Sequence, residues 1–277
     1  MRLSPSRLLI LLDEILRKVP VVSNLYHRLD RWLPRPAFVR RLRQRPPVFV
    51  YQMGKVGSTS IYNSLRKYYP GEVLHAHKFG TASDVGSIHR FYSVVRKEPL
   101  PVKIICPIRD PLSHNVSALF QNFRHYTGYR FRDYPGSVDD LLATFLQEGY
   151  HVHPLIWLDD NLLANFGIDV YTTPFPASGH CTYRNGQVEA LVIRHDVPDA
   201  KKTAVISEFV GCANFTLHNA NISSHKVYAE MYRSMKKRKL PAPYVEEMLD
   251  AKYTRHFYGR EISTLRQQWT ASPDPAA

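Results

Sequence analysis

Pro47-Val48-Phe49-Val50-Tyr51-Gln52-Met53-Gly54-Lys55-Val56-Gly57-Ser58-Thr59-Ser60 is the stretch from which the fold of this 277-residue chain is read. Val48 to Tyr51 is a short apolar, β-branched run and predicts a buried strand. The run breaks at Gly54-Lys55-Val56-Gly57. A helical pattern follows, with Ile61, Leu65 and Tyr68 or Tyr69 on one side. Strand, glycine turn and helix N-terminus together make an anion site. Glycine lets the backbone approach a phosphate closely, and the free amides of the first helical turn point at it. Ser58, Thr59 and Ser60 add hydroxyls and Lys55 adds a charge. The plainer alternative is a glycine turn with an ordinary surface lysine.

The loop departs from the nucleoside-triphosphatase pattern G-x-x-x-x-G-K-[ST], because its lysine precedes the last glycine. A second stretch has the same plan. Val102-Lys-Ile-Ile-Cys-Pro-Ile108 reads as a strand and runs into Arg109-Asp-Pro-Leu-Ser-His-Asn-Val-Ser117, which opens a helix. Pro111 suits the first helical turn. An arginine fork takes two phosphate oxygens at once, and the Ser117 hydroxyl, two helical turns on, can add a donor. Asp110 reads as an acid at a helix N-terminus rather than a magnesium ligand.

The two motifs together resemble the PAPS-dependent sulfotransferases, and the wording of the first looks like that of bacterial capsular polysaccharide synthesis proteins. The likeness continues more weakly through Trp157-Leu-Asp-Asp-Asn-Leu and Gly167-Ile-Asp-Val-Tyr171. Several expectations follow from it. Lys55, Val56, Gly57, Ser58, Thr59 and Ser60 hold the 5′-phosphate of PAPS, Lys55 also acting in catalysis, and Arg109 with Ser117 grips the 3′-phosphate. The co-substrate is PAPS, no metal is required, and the acceptor is a hydroxyl of a carbohydrate or glycolipid. His75 or His77, in Glu72-Val-Leu-His-Ala-His-Lys-Phe-Gly80, is the base, His77 being preferred. The spelling His-x-His resembles the uronyl 2-O-sulfotransferases. Physically, a strand end faces the ligand crevice of an open α/β sheet, and histidine titrates where a hydroxyl must be deprotonated. The bland reading is two loop histidines among thirteen. Rival functions are an ATP-dependent kinase and a non-catalytic, membrane-associated accessory protein of polysaccharide assembly.

The expected fold class is α/β, a three-layer P-loop-like parallel sheet flanked by helices, with a helical C-terminal region. A basic helical arm (1–45), an α/β domain (46–270) and a disordered tail (271–277) are expected. The net charge is +13. Residues 1–45 hold eleven Lys or Arg against three Asp or Glu. Their apolar run, Leu8 to Leu12, is too short to span a bilayer and lacks a cleavage signal after a long apolar core. The arm either rests on an anionic membrane or packs on the domain. The location expected is cytoplasmic, peripheral on the inner membrane face if the arm binds lipid. No nucleic-acid reader motif is present. Cys106, Cys181 and Cys212 are too scattered for a disulfide framework or zinc site. The sequons at Asn115, Asn214 and Asn221 read as coincidence.

Further along, Thr81 to Lys97 predicts a crossover helix and Gly136 to Ala164 mostly helix with a break before Pro154. Ile168 to Tyr171 and Glu189 to Ile193 predict strands. The second leads to Arg194-His195-Asp196, near where sulfotransferases often place an acid. Ala200 to Val210 predicts a helix stopped at Gly211, and Phe209-Val210-Gly211 resembles the Phe-Leu-Gly closing the matching family helix. Thr216 to Ser224 reads as a polar loop. Lys226–Arg238, Pro243–Tyr253 and Arg260–Trp269 read as helices. Trp157 is core or, alternatively, an adenine-stacking ring.

Overall fold

The computed structural model describes residues 36–79, 86–218 and 227–271. It begins with α1 (Pro36–Gln44), then β1 (Val48–Tyr51), α2 (Ser58–Tyr68), β2 (Val73–Ala76), α3 (Ser87–Val95), β3 (Val102–Ile108) and α4 (Pro111–Gln121). A short α5 (Phe123–Thr127) and α6 (Val138–Glu148) follow, α6 starting at a reciprocal cap between Ser137 and Asp140. Then come α7 (His153–Trp157), a π-helical stretch (Leu158–Leu163) and α8 (Ala164–Phe166), stopped by left-handed Gly167. The order continues with β4 (His180–Asn185), β5 (Val188–Arg194), α9 (Asp199–Val210), α10 (Ala229–Lys237), α11 (Ala242–Asp250), α12 (Lys252–Tyr258) and α13 (Ile262–Trp269).

The fold is α/β. Five strands form one sheet in the order β2-β1-β3-β5-β4. The first four are mutually parallel, and only the edge strand β4 runs antiparallel, against β5. The chain leaves β1 for β2 on one side and returns to β3 on the other. The carboxyl ends of β1 and β3 therefore flank a topological switch point, where open α/β sheets bind ligands.

Alternation along the strands divides the core in two. Val48, Val50, Ile105, Leu191 and Ile193 face α2 and α9 through Ile61, Leu65, Ile206 and Val210. Phe49, Tyr51, Ile104, Cys106 and Val192 face the other layer, built from α3, α4, the α7 segment and the C-terminal helices. The parallel strands are buried on both faces, which is why they read as continuous apolar runs.

Some expectations fail for local reasons. Ile168 to Tyr171 is not a strand. Ile168 and Val170 are buried, but the Asp169 carboxylate accepts from the Tyr171 amide at 2.9 Å, closing a turn that competes with a ladder. The place beside β5 is taken instead by β4, whose sequence His-Cys-Thr-Tyr-Arg-Asn is too polar to read as a strand. Its signal was the two-residue loop Gly186-Gln187, with the left-handed glycine first (φ +55°). The expected helix Pro243–Tyr253 divides at extended Ala251, and Arg260–Trp269 opens with a 3₁₀ turn. Asp199–Val210 does end at left-handed Gly211. The Asn115 side chain is buried and donates to the His151 carbonyl at 3.0 Å, so that sequon offers no glycan acceptor. Among the described residues no helix is long and apolar enough to cross a membrane.

Of the basic arm, residues 1–35 lie outside the described residues, as do the tail 272–277 and most of the 216–224 loop. Residues 36–44 pack on the domain. Phe38 and Leu42 of α1 join the core, while Arg41 and Arg43 pair with Glu72 and Glu98. Those two pairs are half-exposed and contribute little; the buried leucine carries the attachment. Leu42→Ala is expected to lower the unfolding free energy by about 2–4 kcal/mol in chemical denaturation. An unchanged midpoint would mean that α1 is not docked.

Candidate functional site

The turn after β1 is wound the wrong way for ordinary residues. Gly54, Lys55 and Gly57 have φ of +92°, +56° and +75°. Successive backbone amides in such a turn can make an anion-binding concavity. Lys55 has no glycine's freedom, and holding it there costs about 1–2 kcal/mol. The loop is braced from three sides. The fully buried Gln52 side chain accepts the Gly54 amide through Oε1. Arg109 Nη1 donates to the Lys55 carbonyl at 3.1 Å. The His195 ring lies against Gly57, where a β-carbon would stand 3.3 Å from its Cδ2. Gly57 is the N-cap of α2, whose first amides have no intrahelical partner.

Lys55, Val56, Gly57, Ser58, Thr59, Ser60, His75, His77, Arg109 and Ser117 all line a single cleft of about 710 Å³ at the carboxyl ends of the strands. The residues expected to hold PAPS and to act in catalysis are thus brought to one place. Val56 and Gly57 contribute backbone, since the Val56 side chain is core. Asp110 accepts from the Ser113 amide at 2.8 Å as the cap of α4. The Arg109 carbonyl receives the Tyr253 hydroxyl at 2.8 Å, fixing the strand end.

The two histidines of β2 differ in what they can do. His75 Nε2 lies 3.0 Å from Ser58 Oγ, and its ring stacks on Tyr62. Burial first, then His77, pushes its pKa down to about 4. Its contacts make it a support for Ser58. His77 lies at the exposed lip of the cleft. Its Nδ1 is 3.1 Å from the Gln52 carbonyl and 2.7 Å from Gln52 Nε2. With Nδ1–H donating to the carbonyl, Nε2 keeps a lone pair; with the Gln52 amide donating to a bare Nδ1, the proton sits on Nε2. Both neutral tautomers have a partner, as a group that takes and returns a proton needs. Partial burial lowers the His77 pKa; the Gln52 carbonyl opposes this and the Lys55 charge adds to it. Trp157 is buried packing outside the cleft lining, and its indole N–H donates to the His77 carbonyl at 2.9 Å.

Sequence reasoning missed several lining residues. Phe120, Tyr228 and Tyr232 form an aromatic group in the wall, Phe120 lying 5.3 and 5.2 Å from the two tyrosines. Lys202 and Lys236 add charge. With Lys55 and Arg109 they face one acid, Asp199, which pairs with Lys202 at 3.1 Å. Arg194 also lines the wall, but its guanidinium is held by Asp196 and Glu261. Lys236 is one basic residue among many on α10, and only the fold distinguishes it. Among the described residues no cluster of three or more His, Cys, Asp or Glu is arranged to hold a metal ion.

Residues 138–259 match the family model described as "Putative capsular polysaccharide synthesis protein". The match covers α6 through α12 and begins after both anion-binding motifs. No curated protein and no solved structure matches this chain.

The loop generates a test. In Gly57→Ala the left-handed φ and the His195 contact oppose the new methyl. Stability is expected to fall by about 1–2 kcal/mol, and pyrophosphate binding by more than tenfold in calorimetry. Lys55→Gly is expected to lose binding while keeping or gaining stability, because the strain at φ +56° is relieved. A less stable Lys55→Gly would mean that Lys55 is not strained.

Proposed function

We propose that this protein is a sulfotransferase moving a sulfuryl group from PAPS to a hydroxyl of a polysaccharide or glycolipid. The observation that carries the reading is the doubling of anion sites in one cleft. The strained loop before α2 suits a phosphate, and Arg109, Ser117 and Lys236 line the same cleft with further donors. A nucleotide phosphorylated at both 5′ and 3′ positions uses both, and the Phe120, Tyr228 and Tyr232 rings offer a face for its base. The family description supports a saccharide as acceptor.

In this reading His77 Nε2 accepts the proton of the acceptor hydroxyl. The freed oxygen forms a bond to sulfur as the bond from sulfur to the phosphate oxygen breaks. The electron pair stays on the phosphate, where Lys55 and the loop amides meet the growing charge. His75 holds Ser58 in place. His153, near enough to His77, Lys78 and Lys55 for their charges to lower its pKa after burial, lies beside the acceptor, with exposed Tyr150 at 6.2 Å.

Calorimetric titration with adenosine 3′,5′-bisphosphate is the test. It is expected to bind at least tenfold tighter than AMP, and Arg109→Ala is expected to erase the difference. No preference for the 3′-phosphate overturns the reading, and tighter binding of ATP with magnesium favours a kinase. His77→Ala is expected to keep bisphosphate affinity and lose about 10²–10⁴ in transfer to a capsular oligosaccharide. Because a lowered pKa keeps a base unprotonated to lower pH, the acid limb of kcat/KM should fall below pH 6.5. An acid limb above 6.5 rules His77 out as the base.

A further inference from the structure

Resting on the reading of the Lys55–Ser60 loop as a phosphate site, we propose that His195 is a proton-linked ligand of that phosphate. It takes up a proton when a phosphate dianion settles in the loop, and so binds a dianion more tightly than a singly charged phosphoryl group.

The argument begins from position. His195 is the first residue after β5, and its amide donates to the Ile108 carbonyl at 2.7 Å, extending the ladder to the cleft floor. That bond sets the ring near Arg109 and against Gly57, its Nε2 3.6 Å from where a β-carbon of Gly57 would be. Gly57 is the residue whose carbonyl and following amides begin α2. An anion held by those amides therefore lies next to the imidazole. The ring lines the cleft, and among the described residues no hydrogen bond engages its nitrogens. It is a donor and acceptor left over at the mouth of an anion site.

The charges around it explain why the proton is absent before the ligand arrives. Burial, Arg109 and Lys202 push its pKa down to about 4, against Asp196 and Asp199. Lys55 lines the same cleft, and the Arg194 guanidinium is spent on Asp196 and Glu261. A dianion in the loop offsets the repulsion of Arg109 and Lys202 and adds an attraction at hydrogen-bond range. Opposite charge at such range raises a pKa by roughly 1–3 units. Binding thus strengthens as pH falls from the bound toward the empty pKa.

The chemistry gives this linkage a direction. In a phosphosulfate the 5′-phosphate carries one charge. When the sulfur–oxygen bond breaks, the electron pair remains on that phosphate, whose second ionisation is near pH 6. The acceptor's proton goes to His77, and His195 draws its proton from solvent. The linkage then favours the product nucleotide over the donor, increasingly so on acidification.

The experiment is calorimetry of the full chain and of His195→Gln, near pH 6, in two buffers of different ionisation enthalpy. The probes are adenosine 3′,5′-bisphosphate and AMP. Wild type is expected to take up roughly half a proton more per ligand than His195→Gln, with either nucleotide. Between pH 7.5 and 6 its affinity should gain about twofold relative to the variant's. Equal proton uptake in the two proteins overturns the proposal. Equal binding of the two nucleotides overturns the PAPS reading alone, since AMP still reports on the loop. No binding of either by a protein with an unchanged melting temperature overturns both. Should His195→Gln unfold, the ¹⁵N shifts of His195 in wild type decide the matter, a move to the imidazolium pattern on adding AMP being expected and a constant neutral pattern overturning it.

Discussion

Everything at the carboxyl edge of this sheet depends on a backbone that turns left three times in four residues, at Gly54, Lys55 and Gly57. The turn does two things together. It brings the backbone of Lys55, Val56 and Gly57 to the cleft wall, and it puts a lysine there at a strand-to-helix junction. The strain on Lys55 is about 1–2 kcal/mol, and on the proposed reading it is small beside what preorganised amides and a cation contribute to holding a phosphate. The surroundings look built to keep it: Gln52 holds one end, Arg109 a carbonyl in the middle, and His195 covers the other.

The second theme is the company of cations and neutral histidines. Lys55, Arg109, Lys202 and Lys236 all line the cleft. The same charges act on His77, His153 and His195, whose pKa values burial and the neighbouring cations lower. On the proposed reading, a cleft that collected anions with histidinium would lose its base, whereas binding by lysine and arginine leaves the imidazoles uncharged.

Much of this was legible in the chain. Val48–Tyr51 and Val102–Ile108 are apolar on both faces because parallel strands are covered on both faces, so they stood out. The glycine loop and Arg109-Asp-Pro carry their conformation in their residue types. The histidine spacing placed His75 and His77 on one strand, but which of them is engaged depends on Ser58 and Gln52 across the loop. That is a tertiary fact. The edge strand β4 was hidden because one exposed face and an open edge place little demand on composition. Lys236, Tyr232 and His195 arrive at the cleft from over 75 residues beyond Ser117, a distance no local pattern spans.

The long excursion between β3 and β5 has a consequence for how the chain reaches this state. β1 and β2 join after a short helix, whereas roughly 80 residues lie between the end of β3 and the start of β5. In equilibrium terms that costs little, about 0.6 kcal/mol for each doubling of loop length. In kinetic terms it matters, since pairing of distant strands is the slow step in folds of high contact order. Until β5 docks along its seven-residue register, one whole side of Val-Lys-Ile-Ile-Cys-Pro-Ile is a bare, apolar ladder at the centre of the future sheet. In that interval the nascent chain can recruit the same strand from a neighbouring copy, and the window closes only when the β4–β5 hairpin arrives as a unit and caps it.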